Sequence, residues 1–351
     1  AMSSSLVESK KTACVTKTLL EKGYAVKTTV RNPSLIHYSV CRLLHALPST
    51  IYLTKVADRI RFERSDFNCP SCQALGPLEV LRADLDEGGS FDEAVAGCNY
   101  AFLVAAPINL ASGEDPQKEL IEPAIPGTLN VMRSCVKAGT VRRVVLTSSA
   151  AAVYIRQDLR GGDDGHVLDD ESWSDVEYLK ANKPPTWGYS ASKVLAEKAA
   201  SRFAHEHGVS LVTVCPVITL GAAPAPTTGT SILHCLSLLS GDKASLGVLK
   251  VLEPVSGSVP LVHIDDLCRA ELFVAEEAAA AGRYNCCSHS TTVVDLARFL
   301  TQKYPQYQDQ LLEKPRACIL SAKLEREGFS SSTTPWMNVI EYGKALGILS
   351  N

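Results

Sequence analysis

The sequence predicts an α/β fold, a Rossmann-like doubly wound parallel sheet with a smaller C-terminal lobe, and three observations lead there. Strand-like and helix-like segments alternate through the first 220 residues, the pattern of a sheet covered on both faces. Residues 100–105 (YAFLVA) are a continuous apolar run followed closely by Pro107, as in a strand buried on both sides. Residues 189–207 are good helix formers with Gly208 placed to end them, and residues 209–214 return as a strand stopped by Pro216.

Taken in order, residues 12–15 (TACV) and 25–30 (AVKTTV) read as short strands, and 78–81 (LEVL) as a third that closes at Arg82-Ala83-Asp84. Residues 141–149 (VRRVVLTSS) form the strand after the 100–105 run, and a loop containing Gly161, Gly162 and Gly165 follows. The texture changes at Gly221. Residues 222–230 are rich in Pro, Gly and Thr and read as a linker or a substrate-covering loop. The expected organisation is a main domain over 1–220, with residues 33–77 as an atypical insertion. A smaller lobe covers 221–351, parts of which return to the main domain.

Composition limits the function classes. The chain has 351 residues, 46% apolar and 21% charged, enough to bury a core without disulfides or metals. A balance of 35 basic against 38 acidic residues excludes a generically basic nucleic-acid binder and a polybasic membrane-surface protein. No run reaches the 18 or so apolar residues of a membrane span, and no apolar signal core follows the opening serines. The expectation is a soluble cytoplasmic protein. Its twelve cysteines, diluted through a long chain, read as reduced and mostly buried thiols. Cys69 and Cys72 have CxxC spacing but no second pair, so incidental loop cysteines are the favoured reading, with no metal expected.

The chemistry gathers around Tyr189-Ser-Ala-Ser-Lys193. Residues four apart share a helix face, so the phenol and the ammonium address one volume, and the charge favours the phenolate. That makes the tyrosine a usable proton donor. YxxxK alone is common by chance. Ser148-Ser149 changes its weight, because the pair closes a strand, and strand carboxyl ends face the ligand crevice in open α/β sheets. Ser, Tyr and Lys in that order and context describe a short-chain dehydrogenase/reductase.

The resemblance is closer than a superfamily. Residues 10–15 (KKTACV), 23–33 (GYAVKTTVRNP), 146–153 (LTSSAAAV), 183–200 (KPPTWGYSASKVLAEKAA), 256–287 and 303–308 (KYPQYQ) resemble the plant anthocyanidin reductase family. The resemblance implies NADPH-dependent reduction of anthocyanidins to 2,3-cis flavan-3-ols of the epicatechin type. A small-molecule flavonoid would be the partner, not a nucleic acid. Carried over by position, it implies Ser149, Tyr189 and Lys193 as the catalytic triad, with Lys193 also on the nicotinamide ribose. Arg31 would hold the 2′-phosphate, a role that suits its planar fork. Asp84 and Leu85 would flank the adenine, Val104, Ala105, Ala106 and Pro107 the ribose, and Pro216 the nicotinamide.

One departure is large. The family's glycine-rich phosphate turn should follow Val15, yet no glycine precedes Gly23. The chain passes directly into residues 16–20, which resemble the far end of the first helix. Nine residues separate the first two strand readings, fewer than the dozen or so of a parallel crossover, so first strand and first helix cannot both keep their places. The pyrophosphate normally rests on N–H groups at that helix's N-terminus. Losing two such charge-assisted bonds, about 1.5–3 kcal/mol each, weakens binding roughly 10²–10⁴-fold.

Other features have plainer readings. His205 and His207 lie two apart, on different helix faces. Asp265 or Asp266 reads as a helix N-cap. Tyr154 and Trp187 either meet a flat aromatic substrate or pack. Two alternative functions stay open: a dihydroflavonol or cinnamoyl-type reductase, and a non-catalytic relative with impaired cofactor binding.

Overall fold

The structure, a computed structural model, describes residues 15–30, 59–62, 78–104, 115–160, 166–222, 230–301, 317–336, 338–345 and 348. Their strands are β1 (Val26–Val30), β2 (Arg59–Phe62), β3 (Leu78–Arg82), β4 (Tyr100–Leu103), β5 (Arg143–Thr147), β6 (His166–Leu168), β7 (Leu211–Pro216), β8 (Ile218–Leu220), β9 (Val259–His263), β10 (Gly282–Cys286), β11 (His289–Thr291) and β12 (Ala317–Ile319).

Among the described residues the Rossmann-type sheet falls in two pieces. One runs β10-β7-β5-β4 with every pairing parallel. The other runs β1-β3-β2, parallel between β1 and β3, with β2 antiparallel on the far edge. That edge strand comes from the stretch read as an insertion, most of which lies outside the described residues.

Residues 15–21 form a helix that leads toward β1. The strand read over 12–15 is corrected at its end: Val15 is helical, and residues 12–14 lie outside the described residues. Val15 and Leu19 stand four apart and both bury, while Lys17 pairs with Glu21 at 3.6 Å on the wet side. Helical periodicity prevails over the short β-like run. Gly23, at φ +83°, ends the helix where an L side chain would be strained. Among the described residues β1 and β4 both line a pocket of about 660 Å³.

Alternation along the strands sorts two cores onto opposite faces. Ala101, Leu103, Val144 and Leu146 join Phe91, Val131 and Ala200 on one side. Val104 and Val145 join Val15, Leu19 and the Ile264–Glu276 helix on the other. A third core surrounds β11-β9-β8 and the helices Thr230–Ser240, Lys243–Ser256 and Val293–Thr301. β10 leaves that region to pair with β7, and β12 pairs with β6. Cys286 and Cys287 are both buried, in keeping with packing.

Candidate active site

The Trp187–His207 helix carries the site. It starts abruptly: Thr186 sits at φ 64°, and the Trp187 amide donates to the Pro184 carbonyl at 2.9 Å. Gly188 is required in its first turn, because a Cβ there would lie 2.5 Å from Cβ of Pro116. The helix ends at Gly208 in the left-handed conformation, as its sequence predicts. Its buried face is built largely of Gly, Ala and Ser, which lets the Glu122–Ala138 helix pack against it.

Tyr189 and Lys193 lie one turn apart on this helix. The Lys193 ammonium stands 5.7 Å from the centre of the Tyr189 ring, within cation–π range, and the residue is only 8% exposed. Ser149 follows β5 and caps the short helix Ala150–Ala152, its Oγ accepting from the Ala151 amide at 3.2 Å. That capping helix packs against the Trp187–His207 helix, so the three residues belong to adjoining elements at the carboxyl end of a parallel sheet.

Tyr154 is buried, and burial together with Tyr189 pushes its phenol well above the ordinary tyrosine range. It packs in the core. Trp187 instead lines a cavity of about 190 Å³ with Tyr189, Leu120 and Pro184. Lys183 stands 5.6 Å from the Trp187 ring.

A buried network behind the site went unnoticed in the sequence. Glu197 is 2% exposed; it accepts from the Ser148 hydroxyl at 2.8 Å and from Arg283 Nε at 2.5 Å. Arg283 also donates to the carbonyls of Asp170 and Ser172, and its guanidinium lies 3.6 Å from the Trp173 ring centre. Burial raises the Glu197 carboxyl above the usual carboxylate range, with Arg283 pulling against it. The only available signal was that Glu197 follows Lys193 by four residues.

The candidate cofactor residues divide. Val104 is buried after β4, and Pro216 is buried at the end of β7. Asp84 follows β3, its carboxylate accepting from the Asp86 amide at 3.1 Å and its amide donating to Ser90 Oγ. Leu85 packs closely on Gly127. Arg31, Ala105, Ala106 and Pro107 lie outside the described residues, as do Cys69, Cys72 and Gly161–Gly165. The cap of the Ile264–Glu276 helix is His263, whose Nδ1 accepts from the Asp265 amide, not Asp265 or Asp266. Asp266 is buried and accepts from the Ser332 and Thr333 amides. Among the described residues no three His, Cys, Asp or Glu side chains gather as a metal site.

Comparisons with known proteins decide the family. Residues 15–287 match the NAD dependent epimerase/dehydratase family. An anthocyanidin reductase ((2S)-flavan-3-ol-forming) of Vitis vinifera is 42% identical over 97% of this chain and 98% of its own. The chain belongs to that family, on its anthocyanidin reductase branch. A dihydroflavonol 4-reductase of Zea mays is 38% identical over 82% of the chain and 70% of its own length. Among solved structures, vestitone reductase from alfalfa matches with TM-score 0.73 and 29% identity, over 97% of this chain and 96% of its own. Gre2 from Candida albicans, solved in complex with NADPH, shares the fold at TM-score 0.71 and 22% identity over 95% and 94% of the two chains.

The reductase is thus an oxidoreductase of a family that uses a nicotinamide dinucleotide. The residues present fit one half of that cofactor. Ser149 follows β5 and Pro216 ends the neighbouring β7, and the helix of Tyr189 and Lys193 packs on the turn that Ser149 caps. The phosphate half does not fit: no glycine precedes Gly23, and Val15 and Thr16, where a glycine turn would open onto the helix, are buried. Among the described residues no single helix is long and apolar enough to cross a membrane.

Proposed function

We propose that the reductase converts anthocyanidins to 2,3-cis flavan-3-ols in flavonoid and proanthocyanidin biosynthesis. Bound NADPH supplies hydride chemistry. The protein's own part is proton handling and orientation. The Ser149 hydroxyl orients a substrate oxygen, the Tyr189 phenol holds the proton at its oxygen, and the Lys193 ammonium supports the phenolate and the nicotinamide ribose. Arg31, Asp84, Leu85, Pro216 and residues 104–107 belong to the same proposal as cofactor contacts. So do the division of the chain at residue 220 and a cytoplasmic location, which suits the eight free cysteines among the described residues.

The observation that carries the reading is the nearly buried Lys193 ammonium over the Tyr189 ring, beside the turn that holds Ser149. Trp187 on the adjoining cavity offers a flat face to a flat substrate. A flavylium cation is already electrophilic, so it asks less of the tyrosine than a ketone does. Incubation with NADPH and either an anthocyanidin or a dihydroflavonol, with chiral product analysis, tests the proposal. A 2,3-cis flavan-3-ol from the first supports it; a leucoanthocyanidin from the second alone contradicts it.

The maize relative favours the dihydroflavonol reaction as a second reading. The missing phosphate turn favours a third, a relative with impaired cofactor binding.

A further inference from the structure

Arg283 and Glu197 close a ring of contacts around the turn that presents Ser149. On one side, Arg283 Nε donates to Glu197 Oε1 at 2.5 Å, and Glu197 Oε2 accepts from the Ser148 hydroxyl at 2.8 Å. On the other, Arg283 Nη1 donates to the carbonyls of Asp170 at 3.0 Å and Ser172 at 2.7 Å, and the guanidinium rests on the Trp173 ring. The next residue, Ser174, grips the far end of the same turn. Its hydroxyl donates to the Ala151 carbonyl at 2.9 Å and accepts from the Ile155 amide at 2.8 Å, while its amide donates to the Ala152 carbonyl. Ser149 therefore sits between two clamps that both lead back to one guanidinium.

Stability alone does not call for such a ring. A buried ion pair gains little over apolar residues of the same volume, because desolvation offsets the attraction. What a satisfied polar network adds is fixed geometry, since each bond holds only over a narrow range of length and angle. The Arg283 side chain is only 11% exposed, so these bonds meet little competition from water. The turn they hold packs on the helix of Tyr189 and Lys193. A misplacement of about 1 Å in such a site can lower a rate roughly 10²-fold.

We infer that Arg283 is a positioning residue for the reaction. Acting through Glu197 and Ser148 on one side and residues 170–174 on the other, it sets the Ser149 hydroxyl relative to Tyr189 and Lys193. The inference deepens the proposed function and rests on the part given there to Ser149.

The test uses Arg283→Lys and Ser148→Ala in the full chain, with two readouts. Ser148→Ala removes only a hydroxyl, so it carries the test if Arg283→Lys does not fold. The first readout is hydrogen–deuterium exchange without cofactor or substrate. Exchange should speed about tenfold or more at residues 150–155 and stay within about twofold of the parent at 259–263, in the third core. The second is turnover of an anthocyanidin at saturating NADPH, where kcat should fall about tenfold or more with KM nearly unchanged. In a Ser149→Ala background the same substitutions should bring no further loss. Unchanged exchange at 150–155, equal speeding in both regions, or full additivity with Ser149→Ala overturns the inference. If the parent itself turns over no anthocyanidin, the proposed function fails, and the exchange result alone decides the inference.

Discussion

Glu197 stands one helical turn beyond Lys193 and accepts the Ser148 hydroxyl at 2.8 Å, joining the helix of Tyr189 and Lys193 to the strand end that leads into Ser149. Arg283 completes the pair from β10 at 2.5 Å. Removing one partner of a buried pair leaves a charge without compensation, which costs about 3–5 kcal/mol. Glu197→Ala should therefore lower stability by about that much in urea denaturation. Glu197→Gln keeps an acceptor for Ser148 and should lose less. Equal losses would show that the hydrogen bond to Ser148 contributes nothing.

The same carboxyl gives stability a pH dependence. Burial raises it above its unfolded value near 4.5, so the folded chain holds this proton more tightly than the unfolded one. Its contribution is fully present below about 4.5 and lost as pH rises through the folded value. The stability of Glu197→Gln relative to the parent should therefore improve as pH rises from 4.5 toward neutrality. A relative stability that is flat with pH contradicts the sign.

Gly188→Ala places a methyl 2.5 Å from Cβ of Pro116. Overpacking of this kind costs about 1–3 kcal/mol, so the melting temperature should fall by several degrees. Because Tyr189 is the next residue, turnover should fall as well. An unchanged melting temperature would mean that the loop at Pro116 yields freely.

Tyr189→Phe should reduce turnover about 10²–10⁴-fold on a ketone substrate, and less on a flavylium, with stability nearly unchanged. Steady-state kinetics on both substrates checks this. Undiminished turnover on both removes the tyrosine from the chemistry.

Burial pushes the Cys135 and Cys235 thiols up to about 12, and Cys215 is raised further. Thiolates are the reactive form, so these three should resist iodoacetamide at pH 8 until the protein is denatured. Mass spectrometry of the alkylated peptides reads this directly. Rapid native labelling of Cys215 would contradict its burial beside Glu197.

Much of this architecture was legible because its signals are local. The apolar run of β4, the helix through Tyr189 and Lys193 with Gly208 behind it, and the strand leading to Ser149 follow from periodicity and caps. The TACV strand misled at its end, because Val15 and Leu19 also make a helical stripe and the helix prevailed. The Glu197–Arg283 pair was invisible because its partners lie 86 residues apart and meet only when β10 pairs with β7. The His263 cap hid behind two better-known capping residues. Counting residues in the crossover shows that first strand and first helix cannot both keep their places, whereas the separation of the strands into two sheets became evident only in three dimensions.

On the proposed function, the proton-handling residues are in place while the phosphate-anchoring turn is missing. Titration of NADPH by nicotinamide fluorescence, on this chain and on a version with a glycine-rich turn inserted behind Val15, tests it most directly. The insertion should tighten binding roughly 10²–10⁴-fold, the worth of two charge-assisted hydrogen bonds. Micromolar affinity in the unaltered chain, with no gain from the insertion, would contradict it.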